Sequence, residues 1–199
     1  MLDLFDLTTL VKTVGYLGLF AIVFAESGLF FGFFLPGDSL LFTAGFLASQ
    51  GFFDITLLLF LVFTGAILGD NVGYWFGRKV GPKIFTREDS LVFRKSYVQK
   101  AQAFFDKHGA KTILLARFVP AVRTFAPIIA GVAGMRYDIF LAYNLLGAAL
   151  WGLGLTLLGY FLGNTVPHID RYILPILAAI VLISISPGLF AFWKNRKKT

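Results

Sequence analysis

The chain has 199 residues, 57% of them hydrophobic and only 15% charged, a balance that excludes an ordinary soluble domain and marks a polytopic membrane protein of one domain. Zero cysteines and two histidines, His108 and His168, exclude a cysteine-based zinc site, an iron-sulfur cluster and a disulfide framework, so no metal and no cofactor is expected. The net charge of +7 comes from basic residues flanking apolar spans, which suits anionic lipid headgroups and not nucleic acid.

The chain opens Met-Leu-Asp-Leu-Phe-Asp, with acids where a signal peptide carries lysines and no small-residue cleavage site after the first apolar run, so this end is expected to be retained. Residues 2–12 form a short amphipathic piece suited to the interface. From Thr13 to Phe53 the only charges are Glu26 and Asp38, and Leu35-Pro36-Gly37-Asp38 interrupts the run with a fixed φ, a free φ and a turn-forming acid. That pattern predicts a hairpin with its tip near Pro36. A membrane-length helix follows over 55–77, carrying Asp70 as its one charge and Gly65, Gly69, Gly73 and Gly77 as a smooth packing face.

Residues 78–111 hold nine Lys or Arg and read as a cytoplasmic, basic, surface-lying segment. Within it Thr86 and Asp89 start a helix, Tyr97, Val98, Ala101, Phe104 and Phe105 form its apolar stripe, and His108-Gly109 ends it. The next unit, 112–163, begins with a second interrupted stretch, Arg117-Phe-Val-Pro120-Ala-Val-Arg123-Thr-Phe-Ala-Pro127. Each arginine at bilayer depth costs about 2.5 to 3.5 kcal/mol even on an insertion scale, so both need partners. Pro120 and Pro127 each remove a backbone donor, which predicts a sheltered re-entrant hairpin in place of a continuous helix. Residues six apart on an unbroken helix differ by about 240° around the axis, so a break at Pro120 is what lets Arg117 and Arg123 converge. The uncharged run 139–163 and a C-terminal span over 172–193 complete the fold.

Outside the embedded segments, fourteen Lys or Arg lie in the 78–111 segment, Arg136 and the C-terminal tail, against Lys12 and Arg171 on the other side. The C-terminus is therefore expected to be cytoplasmic. Pro36 and Asp54-Ile55 recur as Pro120 and Asp138-Ile139, and Gly73-Tyr-Trp-Phe-Gly77 recurs as Gly159-Tyr-Phe-Leu-Gly163. The expectation is an all-α membrane protein built as an inverted repeat, two opposed re-entrant hairpins each followed by a transmembrane helix.

In that arrangement Glu26 and Asp38 from one hairpin meet Arg117 and Arg123 from the other, with formal charges summing to zero. Arginine binds phosphate bidentately, so an anionic lipid phosphate is the expected substrate and Glu26 and Asp38 are candidate proton-coupling groups. Asp70, some 12 Å along its helix from the basic boundary at Arg78, is assigned to structural pairing with an arginine there or to a polar lining. Pro36, Gly37, Pro120 and Pro127 shape the backbone, Asn144 is expected to bond between helices, and Trp151 to pack.

These motifs, Phe-Ala-Glu26-Ser-Gly, Phe-Leu-Pro36-Gly37-Asp38, Gly69-Asp70-Asn-Val-Gly73 through Arg78, and the arginine stretch followed by Ala130-Gly131, Met135, Phe140, Asn144, Gly147 and Trp151, occur in an order that resembles the DedA family of the VTT-domain type over about residues 15–165. The resemblance implies two opposed re-entrant hairpins in a bacterial cytoplasmic membrane protein and the return of undecaprenyl phosphate across that membrane for envelope synthesis. It also implies that Glu26, Asp38, Arg117 and Arg123 are the functional residues. Other members are linked to phospholipid transport, phosphatidylethanolamine included, or to proton-dependent membrane homeostasis. Without a nucleotide motif, an ion gradient or the lipid's own gradient is the expected energy source. No enzyme chemistry is expected, since both histidines lie outside the embedded hairpins; a membrane scaffold is the reading from another class, and a homo-oligomer is permitted by the glycine ladder.

Overall fold

The computed structural model describes residues 7–28, 37–84 and 103–166, together with Pro175, Ile176 and Ala179. Pro36 at the first hairpin tip, residues 85–102 of the basic segment with Thr86, Asp89 and most of the apolar stripe, His168, and the rest of the C-terminal span over 172–193 lie outside the described residues. Among the described residues every regular element is a helix. Helix α1 covers Leu7–Gly28, α2 Gly37–Ser49, α3 Ile55–Ile84, α4 Lys111–Ala116, α5 Pro120–Arg123, α6 Ala126–Val132, α7 Tyr137–Ala148 and α8 Gly154–Thr165. A π turn, Ala149–Leu153, joins α7 to α8 without a break.

Three of these stretches, Thr8–Gly28, Ile55–Gly81 and Tyr137–Thr165, are long and apolar enough to cross a membrane. The first differs from the hairpin arm that the sequence suggested, because α1 absorbs the amphipathic piece at its start. It does so across a break: Gly15 has φ 57° and ψ −161°, a conformation that glycine accepts and other residues resist. The part after the break, residues 16–28, is about 20 Å long, short of a hydrocarbon core of about 30 Å.

The second interrupted stretch divides as its prolines dictate. Pro120 and Pro127 each stand in the first turn of a new helix, where a missing N–H is harmless, so 111–132 becomes three short helices. Gly134, at φ 70°, closes α6 in a Schellman motif, with the Met135 N–H donating to Ala130 O at 3.1 Å. The helical stretch 103–108 ends at His108, and Gly109 follows at φ 72°.

The short helices pack crosswise on the long ones: α2 lies along α8, and α6 along α3. Glycines allow both approaches. A Cβ on Gly45 would collide with the Thr156 carbonyl of α8, and one on Gly131 with the Tyr74 carbonyl of α3. The α3 ladder is likewise used inside the chain, Gly65 and Gly69 facing α1 and Gly73 and Gly77 facing α6. Two apolar clusters result. Leu19, Val23, Leu40, Leu41, Leu58, Val62 and Trp151 form one, and Tyr74, Ile113, Ala130 and Phe140 the other. Leu17, Phe60, Leu115, Leu150 and Phe161 are exposed, as side chains facing hydrocarbon would be.

Candidate functional site

Between the two clusters lies a set of buried charged groups: Glu26 from the end of α1, Asp38 from the first turn of α2, Asp70 from α3, Arg117 just after α4 and Arg123 at the end of α5. The break between α4 and α5 brings both arginines inward. They do not, however, share one acidic target.

Arg123 takes both acids of the first hairpin. It is ion-paired with Glu26, and its Nη1 donates to Asp38 Oδ1 at 2.6 Å. Glu26 is fully buried, whereas the Asp38 side chain retains 14% exposure. Gly37 makes room for this contact, because a Cβ there would fall on the Glu26 carboxylate.

Arg117 turns to α3 and α7 instead of joining Glu26 and Asp38, which corrects the four-residue arrangement expected from the sequence. Its Nη2 is ion-paired with Asp70 and donates to Asn144 Oδ1 at 2.6 Å. Asn144 in turn donates through Nδ2 to Ile67 O at 3.3 Å, so the amide fixes Arg117 against α3. The arginine side chain crosses Gly147, where any Cβ would displace it. Asp70 therefore pairs with Arg117 and not at the helix boundary. Arg78 has another task, donating to Tyr74 Oη at 2.5 Å and Met135 O at 3.2 Å.

A third acid also changes the charge balance. Three carboxylates face two guanidiniums, one acid more than the formally neutral set of four. Arg117 Nε, Arg123 Nε and the hydroxyls of Thr43 and Thr124 are buried and have no hydrogen-bond partner among the described residues. No cluster of metal-ligating side chains occurs among the described residues.

Trp151 links the two halves. The guanidinium carbon of Arg123 lies 4.7 Å from its ring centroid and that of Arg117 5.9 Å, within cation-π range. Its indole N–H donates to Asp38 Oδ1 at 2.8 Å. Sequence reasoning gave this residue to packing alone. Asn144, Gly147 and Trp151, three and four residues apart, lie on one helical face, and that spacing was the available signal. What it did not show is the π turn around Trp151, a feature frequent at functional sites. The Thr156 hydroxyl donates to the Gly152 carbonyl of this turn at 2.8 Å.

The VTT domain model matches residues 35–161. The chain is 46% identical to DedA of Escherichia coli (strain K12) over 184 residues, 92% of this chain and 84% of that protein. It is 48% identical to an uncharacterized membrane protein of Mycobacterium leprae over 172 residues, 86% of this chain and 77% of the relative. It is also 35% identical to the inner membrane protein YqjA of Escherichia coli over 188 residues, 91% of this chain and 85% of YqjA. No solved structure matches. A domain match that contains Asp38, Asp70, Arg117, Arg123 and Trp151, together with relatives covering nearly the whole chain, places this membrane protein in the VTT-domain, or DedA, family.

Proposed function

We propose that this protein is a flippase for a lipid phosphate, undecaprenyl phosphate, in the bacterial cytoplasmic membrane, with its C-terminus in the cytoplasm. The observation that carries the proposal is Arg123, a buried guanidinium held between Glu26 and Asp38, with its Nε and the neighbouring Thr124 hydroxyl unused. Pure charge neutralisation would leave no buried donors over, since each unsatisfied one costs about 1 to 3 kcal/mol. A phosphate offers enough acceptor oxygens to use them.

The crossed packing of α2 on α8 and α6 on α3 supports the opposed re-entrant hairpins, because each short helix rests on the long helix of the other unit. Alternating access then amounts to one hairpin moving against the other around Arg123. The excess acid supports proton linkage: as phosphate takes Arg123 from Asp38, the freed carboxylate loses its counter-charge and takes up a proton. An open apolar groove of about 500 Å³ beside α3, lined by Phe24, Leu68, Val72 and Phe76 with Lys79 among its walls, suits a hydrocarbon tail with an anionic head. We read the protein as a transporter and not an enzyme, with no covalent step.

Undecaprenyl phosphate movement in liposomes tests this. Labelled lipid should cross in the presence of the wild type, respond to an imposed pH gradient, and stay in place with a folded Arg123→Ala variant. The third carboxylate favours one alternative, since an excess acid could hold the amine of phosphatidylethanolamine. Movement of that lipid alone would favour a phospholipid transporter or scramblase; movement of neither would leave a scaffold.

A further inference from the structure

Asp38 Oδ1 stands where an anionic headgroup oxygen could sit, and two donors already end on it. Arg123 Nη1 reaches it at 2.6 Å and Trp151 Nε1 at 2.8 Å. Asp38 is also the accessible member of this group, while Glu26 behind it is fully buried and Trp151 is 3% exposed. An indole has a single hydrogen-bonding atom, and that atom only donates. A buried indole N–H needs some acceptor; here the acceptor belongs to the least buried side chain of the group and is shared with an arginine. The π turn Ala149–Leu153 carries the ring, and the face toward Arg123 brings guanidinium and indole donors together.

We propose that Trp151 binds the headgroup directly: as an anionic lipid phosphate displaces Asp38, the indole N–H passes from Asp38 Oδ1 to a phosphate oxygen that Arg123 also holds. The carboxylate of Asp38 is then the internal stand-in that keeps both donors aligned between transport events. Arg117 stays with Asp70 and Asn144 throughout, its charge held against the same ring at 5.9 Å. This rests on the phosphate reading above and adds a donor to it. No bond other than hydrogen bonds is made or broken.

The test uses the full chain, labelled with ¹⁵N at its indole nitrogens and held in neutral detergent micelles. Of the signals from its three tryptophans, the one missing in Trp151→Phe belongs to Trp151. Dodecyl phosphate is titrated in, with dodecanol as the uncharged control. Dodecyl phosphate should shift the Trp151 signal and dodecanol should not. Trp151→Phe, which keeps an aromatic ring but not the donor, should bind dodecyl phosphate about tenfold more weakly and still melt cooperatively, at a lower temperature for the loss of its bond to Asp38. Equal binding by wild type and Trp151→Phe with an unmoved signal overturns the role of Trp151 and leaves the phosphate reading standing. An equal shift with dodecanol assigns the change to the alkyl chain and overturns it too. Failure of the wild type to bind dodecyl phosphate at all overturns both.

Discussion

Gly37 lies so close to Glu26 that the carboxylate occupies the space where a Cβ of residue 37 would be. The first residue of α2 thus sets how near the end of α1 can come, and with it the position of the acid that Arg123 pairs with.

Gly37→Ala is expected to push Glu26 off Arg123, abolish lipid movement and cost about 1 to 3 kcal/mol through overpacking. Gly154→Ala is the matched control, since nothing lies within 4 Å of its Cβ position. Helix propensity alone makes that change stabilising by about 0.5 to 1 kcal/mol. Melting temperatures in detergent, moving in opposite directions, check both.

Arg117 and Asp70 separate stability from function. Arg117→Gln leaves Asp70 buried without its counter-charge and should cost about 3 to 5 kcal/mol, whereas Arg117→Gln with Asp70→Asn should recover most of that. Lipid movement measured on the double variant shows whether Arg117 does more than balance Asp70; recovered stability with no movement assigns it a part in transport.

Removing one carboxylate should uncouple transport from protons. Asp38→Asn brings the buried set to two acids and two arginines, so no proton is needed to balance it. In liposomes the variant should lose the response to an imposed pH gradient. An undiminished response would move the coupling proton to another group.

If the two units are equivalent, their crossed contacts should be equally sensitive. Gly45→Val and Gly131→Val each force a side chain into a backbone carbonyl of the opposite unit's long helix, and both should lower the melting temperature by similar amounts. A large loss for only one would mean that the halves contribute unequally.

Tyr74→Phe isolates the clamp that joins α3 to the turn before α7. Its hydroxyl donates to Met135 O at 2.5 Å and accepts from Arg78, while its ring stacks on Phe140 at 4.5 Å between centroids. Removing only the hydroxyl should cost about 0.5 to 1.5 kcal/mol, visible as a lower melting temperature with lipid movement retained.

Much of this was legible in the order of the residues. Hydropathy marks the long helices because a membrane imposes a length, and Pro120 and Pro127 mark breaks because a proline cannot sit inside a regular helical ladder. Intramembrane charges mark the site for the same reason: Glu26, Asp38, Asp70, Arg117 and Arg123 are too costly to bury without partners. Composition likewise determined that no cysteine-based centre could form. What the sequence left undecided was pairing. Three acids and two arginines can be matched in several ways, and the choice depends on which helices touch. The packing of α3 against α7 gave Asp70 and Asn144 to Arg117, and the approach of α2 to the end of α1 set Asp38 beside Glu26 for Arg123. The π turn that carries Trp151 to both arginines was also decided there, because an extra residue in a helical turn changes no local pattern and is held by contacts from elsewhere in the fold.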